Sequence, residues 1–245
     1  MYKSVHLRRE EGLEDVRSRP ILQILISTDI VRLFGALMSE DSDRDEAYWD
    51  KTAGLYDNFI EREHGELYKK VRKVFGKYVK RNHKVLDVAT GTGDIALTLA
   101  KKSKDVTGVD VSTKMINIAD SRSTKNPKFL IGDVHEMAFE RSEFDLVTCC
   151  NGLHVFSDPE QALSEMRRVL TAGGKLVTIT FAYGDAVFNQ KMQTWGQFLR
   201  IGMPPNWHSF TGPELRSLHF KAGLKILKAV YCWQDPPTVL IVARK

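Results

Sequence analysis

From His83 to Ala182 the chain alternates between short apolar runs and amphipathic segments of helical period. The apolar runs are typical of buried strands, and the segments between them have the spacing of surface helices. Such alternation predicts a parallel sheet with crossover helices. The predicted strands are Lys84–Val88, Asp105–Asp110, Lys128–Gly132, Phe144–Cys150 and Gly174–Ala182. The predicted helices are Asp94–Lys102, Thr113–Arg122 and Pro159–Leu170.

The pattern changes after Tyr183. A helical insertion is predicted at Ala186–Ile201, and Thr211 is placed to cap a following helix that has a proline in its first turn. Two apolar runs, Leu224–Cys232 and Thr238–Ala243, are separated by a short segment with two prolines. They indicate two strands joined as a hairpin, so the sheet is expected to end with an antiparallel strand.

The region before His83 has the period of helices. Two helices are predicted at Glu46–Phe59 and Gly65–Val79, and the acidic run before them is either a linker or a helix start. An earlier apolar stripe is formed by Leu22, Leu25, Ile30, Leu33, Phe34 and Leu37. The stripe must be covered, and a second copy of the chain would cover it as a homodimer. We therefore divide the chain into a helical extension or lid, residues 1–60, and a main domain, residues 61–245.

Composition and charge narrow the class of protein. The chain has 245 residues, 42% of them hydrophobic, which suits one α/β domain. Its net charge of +5 is spread along the chain, so nucleic-acid binding is not favoured. Asp29 and Arg32 interrupt the most apolar segment, and no membrane span is predicted. Three cysteines and an acidic, polar amino terminus predict reduced thiols and a cytoplasmic location.

The glycine loop after the first predicted strand is the most informative motif. Asp87 ends the apolar run, and Gly91 and Gly93 follow before a helix begins. Glycines here let the backbone approach a ligand closely. The loop alone also fits a dinucleotide fingerprint. Asp110 and Asp133 narrow the choice, because they end the next two strands and parallel strands end at one edge of a sheet.

The three segments resemble the S-adenosyl-L-methionine (SAM) site of the class I methyltransferases. The segment Trp49–Asp57, the run Asn151–Val155 and the stretch Glu165–Gly174 are similar to the ubiquinone and menaquinone biosynthesis C-methyltransferases and related small-molecule enzymes. The resemblance covers about residues 48–182. It implies a Rossmann-like α/β fold with seven strands in the order 3-2-1-4-5-7-6 and strand 7 antiparallel.

The resemblance also implies roles for individual residues. Asp110 would accept hydrogen bonds from both ribose hydroxyls, and Asp133 with Val134 would bracket the adenine. Asp87 would order the glycine loop next to the methionine ammonium group. The cofactor-binding residues expected on this basis are Tyr56, Asp87, Ala89, Thr90, Gly91, Gly93, Asp110, Val111, Met115, Asp133, Val134 and Asn151.

Catalysis would consist mainly of aligning the acceptor with the methyl group, excluding water and, where needed, removing a proton. The candidate bases or acceptor contacts are His154, His208 and Tyr183, and the competing interpretation of each is packing or capping. No metal is predicted, because Cys149 and Cys150 would point to opposite faces of a strand.

The predicted activity is transfer of a methyl group from SAM to a small molecule by in-line displacement, which yields S-adenosyl-L-homocysteine (SAH). Methylation of RNA or protein is an alternative, favoured only by the basic charge. A SAM-binding regulator without catalysis is another. A nicotinamide oxidoreductase is the third, and thermal protection by SAM or by NAD would discriminate it.

Overall fold

A computed structural model describes residues 42–245 of the chain. The predictions for the apolar stripe, and for the dimer that it would form, lie outside the described residues. The helices are α1 (Ser42–Phe75), α2 (Asp94–Ala100), α3 (Thr113–Ser121), α4 (Pro159–Val169), α5 (Phe188–Ile201) and α6 (Gly212–Lys221). The strands are β1 (Lys84–Val88), β2 (Asp105–Asp110), β3 (Lys128–Ile131), β4 (Phe144–Cys150), β5 (Leu170–Phe181), β6 (Lys225–Gln234) and β7 (Pro237–Arg244).

The seven strands form one sheet in the order β3-β2-β1-β4-β5-β7-β6. The first five strands in the chain pair in parallel, and β7 runs antiparallel to both β5 and β6. The predicted fold class and strand order are therefore confirmed. Because β1 to β4 are parallel, the residues that follow them come together at one edge of the sheet.

Helices cover both faces of the sheet, which explains why β1 and β4 are buried along nearly their whole length. Leu86, Met166 and Leu215 belong to the core on the face that α4 and α6 cover. On the other face, Phe75 at the end of α1 and Leu99 in α2 are fully buried.

The prediction of two separate helices before the sheet was wrong. A single helix of 34 residues, α1, runs from Ser42 to Phe75, so the part of the acidic run that the structure describes, from Ser42 onward, is the start of a helix. Gly65 does not interrupt it, because one glycine in a helix costs only about 1 kcal/mol relative to alanine. Burial of Leu67, Val71 and Phe75 in the next turns offsets that cost. The boundary proposed at residue 60 falls inside this helix.

Smaller differences lie at element ends. Strand β5 begins at Leu170, earlier than predicted, because Leu170 pairs with Phe144 across an irregularity in the ladder. A 3-10 turn at Tyr183–Asp185 delays the start of α5. The predicted cap of α6 is present as a complete capping box, in which Thr211 and Glu214 satisfy each other's backbone N–H groups. Within residues 42–245, no helix has the length and apolar character needed to cross a membrane.

Candidate functional site

The glycine loop connects β1 to α2 in a backbone conformation that few residues adopt. Ala89, Gly91 and Gly93 all have positive φ, at 51°, 56° and 87°. At Gly93 a side chain is excluded as well, because an added Cβ would lie 2.7 Å from the ring of Phe129. The loop is tied to β2 by a hydrogen bond of 3.0 Å from the Thr90 N–H to the Val109 carbonyl.

Asp87 is fully buried beneath this loop. It accepts hydrogen bonds from Thr90 Oγ1 at 2.7 Å and from Thr148 Oγ1 at 2.6 Å. Burial raises the pKa of the carboxyl to about 7, although both hydrogen bonds oppose that shift. The contact with Thr90 agrees with the role of ordering the loop that the resemblance implies for Asp87.

Asp110 lies at the end of β2 and is linked to the same loop. Its Oδ2 accepts from the Gly91 N–H at 2.8 Å, and its Oδ1 accepts from the Ser112 N–H at 3.0 Å. Burial raises the pKa of Asp110, and these backbone hydrogen bonds oppose the shift. Two backbone donors therefore fix the carboxylate, and each oxygen keeps a lone pair for a ligand hydroxyl.

Asp133 follows β3 and forms a contact that the sequence did not predict. Its Oδ1 accepts from the His135 N–H at 2.8 Å and lies 2.5 Å from His135 Nδ1. The Asp158 N–H donates to His135 Nε2 at 3.2 Å, so the ring proton belongs on Nδ1, facing the carboxylate. His135 thus orients Asp133. The spacing of two residues was the only signal in the sequence for this pair.

A cavity of about 830 Å³ lies over the carboxyl ends of the strands. Nine of the twelve predicted cofactor residues line it: Tyr56, Ala89, Gly91, Asp110, Val111, Met115, Asp133, Val134 and Asn151. Trp49 and Val155, from two segments that carry the resemblance, also line it, as does Cys150 at the end of β4. Further lining residues that the sequence did not indicate for the site include Asp45, His135, Phe156 and Ser157. Below we call this space the first cavity.

A second cavity adjoins the first and shares Tyr56, Ala89, Gly91 and Cys150 with it. Asp87 and Thr90, both predicted, line the second cavity alone. Its wall also includes five charged residues, Asp57, Glu61, Arg72, Asp94 and Arg122. Asp57 and Asp94 belong to segments that carry the resemblance, whereas the sequence did not indicate the other three. Of the predicted set, only Gly93 lines neither cavity; it supports the turn.

Helix α1 is held against both cavities by its acidic side chains. Asp50 accepts from Ser112 Oγ at 2.6 Å and from the Lys114 N–H at 3.0 Å, at the start of α3. Asp57 accepts from Thr92 Oγ1 at 2.6 Å and pairs with Arg122. The helix is therefore bound to the two loops whose residues form the cavities.

The three predicted bases lie together, but none of them lines either cavity formed by the described residues. His154 is buried among Phe181, Tyr183 and Trp207, with ring centroids 5.0–6.1 Å away. Burial lowers the pKa of His154 to about 3, so the imidazole is neutral near pH 7. Its Nδ1 has no hydrogen-bond partner among the described residues.

His208 and Tyr183 also make packing contacts. His208 Nε2 donates to the Phe156 carbonyl at 2.8 Å, and its ring stacks on Phe210. Tyr183 packs on Trp207 at 4.6 Å between ring centroids, and burial raises its pKa. These contacts leave a catalytic role for the three residues as a prediction.

The chain is similar to known methyltransferases in sequence. A family model described as a methyltransferase domain matches residues 86–178. A demethylmenaquinone methyltransferase from Thermotoga maritima is 36% identical over 145 residues, which are 56% of this chain and 63% of that protein. Its counterpart from Staphylococcus aureus is 38% identical over 128 residues, which are 50% of this chain and 52% of that protein. The matched part is thus less than two thirds of either relative.

The fold is also similar to solved structures. A SAM-dependent methyltransferase from Thermotoga maritima superimposes with a TM-score of 0.66 at 20% sequence identity, covering 82% of this chain and 99% of that one. At this identity the likeness is one of fold.

Proposed function

We propose that this chain, which carries a class I methyltransferase domain, binds SAM and transfers its methyl group to a small molecule. The observation that carries the proposal is the placement of Asp87, Asp110 and Asp133. The three carboxylates lie at or just beyond the carboxyl ends of adjacent parallel strands and line two joined cavities that share Ala89 and Gly91 of the strained glycine loop. An arrangement of this kind suits a long ligand with hydroxyl, amine and ammonium groups along its length.

The residues present fit this cofactor. Asp110 keeps free lone pairs for the two ribose hydroxyls, and Asp133 is held by His135 with half of its side chain exposed. Met115 and Val134 provide apolar walls for the adenine in the first cavity. The charged second cavity would take the methionine end, beside the Asp87 carboxylate.

The bound cofactor supplies a methyl carbon activated by a sulfonium, and neutral SAH is the leaving group. The chain's own contribution is alignment and exclusion of water. Trp49 and Tyr56, on α1, line the first cavity, and the ring of Tyr56 lies next to Gly91 of the glycine loop. In-line geometry requires the acceptor to lie opposite the sulfur, and we expect it to enter between α1 and the segment after β4.

The acceptor is proposed to be a small molecule with an apolar ring system. Support comes from the aromatic side chains of Trp49, Tyr56 and Phe156 in the first cavity. The two relatives carry the name demethylmenaquinone methyltransferase, so a reduced demethylated quinone is the first acceptor to test. No feature of the described residues favours RNA or protein as the acceptor over this class.

His154 remains the first candidate for a contact to the acceptor or for proton removal. It follows β4, and its Nδ1 receives no hydrogen bond from the residues that the structure describes. While it is buried, a pKa of about 3 makes this nitrogen a weak base, so proton removal by His154 requires the aromatic cluster around it to shift and admit the acceptor.

Titration calorimetry with SAM, SAH and NAD tests the proposal. Binding of SAM and SAH without binding of NAD is expected. Binding of NAD alone would overturn the proposal in favour of an oxidoreductase. Incubation with methyl-labelled SAM and short-chain demethylated quinols should then yield labelled product. Binding of SAM without transfer to any small acceptor would favour a regulator.

A further inference from the structure

Asn151, the first residue after β4, has an unusual backbone conformation. Its φ is 53°, in the left-handed region, which asparagine tolerates better than other non-glycine residues. The Asn151 N–H donates to the Ile179 carbonyl in β5 at 2.7 Å, so the sheet holds the residue in this conformation. Backbone strain of this kind is often found where a side chain must face a ligand.

The side-chain amide of Asn151 has a defined orientation. Its Nδ2 donates to the hydroxyl oxygen of Tyr68 at 3.0 Å. The Tyr68 hydroxyl oxygen is the acceptor in this contact, and the amide nitrogen is therefore the atom that faces Tyr68. The amide oxygen therefore points away from Tyr68.

That oxygen, Asn151 Oδ1, is buried and receives no hydrogen bond from any residue that the structure describes. A buried acceptor without a donor is rare in folded proteins, because the group has lost its water and gained nothing in return. Asn151 lines the first cavity. Its neighbour Cys150 lines both cavities, so Asn151 lies close to their junction.

We infer that Asn151 Oδ1 is held next to the sulfonium and its methyl group and makes the site prefer SAM over SAH. The inference rests on the proposed function. The sulfur lies between the ribose and the methionine chain, and hence at the junction of the cavities assigned to those two ends. An amide oxygen carries partial negative charge, so it attracts the sulfonium and the polarised methyl C–H groups. The same oxygen gains nothing from neutral SAH.

The test is the ratio of the dissociation constants for SAH and SAM, measured by calorimetry on purified full-length chains. Asn151→Gly removes the oxygen without backbone strain, since glycine adopts positive φ freely. We expect Asn151→Gly to lower the ratio of the SAH and SAM dissociation constants by about threefold or more, which is the effect of losing one weak C–H···O contact. Asn151→Asp should raise the ratio about tenfold at pH 8, because a carboxylate attracts the cation more strongly.

Two further variants complete the experiment. Asp133→Asn acts at the adenine end, which SAM and SAH share, so it should weaken both ligands equally and leave the ratio unchanged. Tyr68→Phe removes the hydroxyl that orients the amide and should lower the ratio in the same direction as Asn151→Gly. If Asn151→Gly fails to fold in a thermal scan, the Tyr68→Phe ratio decides the question.

The outcomes separate the two proposals. If the unaltered protein binds neither SAM nor SAH, the proposed function is wrong. If it binds both and neither Asn151 variant changes the ratio, the proposed function stands and the role of Asn151 is wrong. A loss of affinity for SAM and SAH by the same factor would identify Asn151 as a general structural support, which also contradicts the inference.

Discussion

Asp57 in α1 accepts a hydrogen bond of 2.6 Å from Thr92 Oγ1 in the glycine loop, across 35 residues of sequence. The second oxygen of Asp57 pairs with Arg122, which also donates to the Thr92 carbonyl. One carboxylate thus joins the long helix, the loop and the end of α3. The position of α1 over the cavities and the shape of the loop are therefore coupled.

We predict that Asp57→Ala weakens SAM binding by about three- to tenfold, because the loop and the helix lose a shared anchor of one or two charged hydrogen bonds. Calorimetry measures the effect. Glu66→Ala is the matched control, since Glu66 lies on the same helix, is largely exposed and pairs with Lys69 at the surface. Equal affinity in the two variants would show that the anchor does not support the binding site.

Asp110→Ala should weaken binding of both SAM and SAH by at least tenfold. The two ribose hydroxyls of the ligand would lose their acceptor, and so would the Gly91 N–H in the glycine loop. Asp105→Ala, at the opposite end of the same strand and exposed, should leave both affinities unchanged. Unchanged affinity in Asp110→Ala would contradict the ribose assignment.

Asp87→Asn should change stability and SAM binding in opposite directions. Burial raises the pKa of Asp87 from 3.8 to about 7, so the folded state holds its proton more tightly than the unfolded state. Stability then falls as pH rises from about 4 to 7, and the full penalty is present at pH 8. The asparagine removes this charge, and we expect a free energy of unfolding higher by on the order of 1–4 kcal/mol at pH 8.

The same variant should bind SAM at least tenfold more weakly, because the negative charge beside the methionine end is lost. Urea unfolding at pH 5 and pH 8, together with calorimetry, measures both effects. A variant that is less stable than the original protein at pH 8 would show that the hydrogen bonds of Thr90 and Thr148 outweigh the burial cost.

His154 should contribute to the pH dependence of stability. Its folded pKa is about 3, below the ordinary value of 6.5, because of burial and the nearby His208. Between these values the unfolded chain binds one more proton, so stability is complete above about pH 6.5 and is lost as pH falls. In the original protein this effect lowers the free energy of unfolding by about 2 kcal/mol between pH 6.5 and pH 5. His154→Phe should abolish that part of the decrease, which urea unfolding at the two pH values measures.

A catalytic role for the same residue has a different signature. If His154 accepts a proton, His154→Phe should lower methyl transfer to the acceptor by about 10²–10⁴ with little change in SAM affinity. Turnover that persists at the original rate per folded molecule would assign His154 to packing against Trp207 and Tyr183.

Gly93→Ala should destabilise the fold by about 2–4 kcal/mol, because the added Cβ would combine a left-handed backbone with a clash against Phe129. Gly173→Ala is the control. Gly173 also has positive φ, at 79°, but its Cβ would meet no atom within 4 Å. We expect a cost of about 1 kcal/mol there, from the backbone alone. Equal effects in chemical unfolding would show that the contact with Phe129 relaxes freely.

The sheet and the edge at which the site lies can be predicted from the sequence alone. Strand periodicity is a local property, and parallel strands bring their carboxyl ends to one edge whatever the details of packing. Asp87, Asp110 and Asp133 could therefore be placed together from their positions after three strands, and nine of the twelve predicted cofactor residues line one cavity.

The side-chain contacts between residues far apart in the sequence could not be predicted in this way. The continuity of α1 depends on burial of Leu67 and Phe75, which local signals around Gly65 do not report. Packing between distant segments brings Asp57 to Thr92 and buries His154 among aromatic rings. It also leaves Asn151 Oδ1 without a hydrogen-bond donor among residues 42–245. Such contacts depend on how elements pack in three dimensions, and periodicity along the chain carries no information about them.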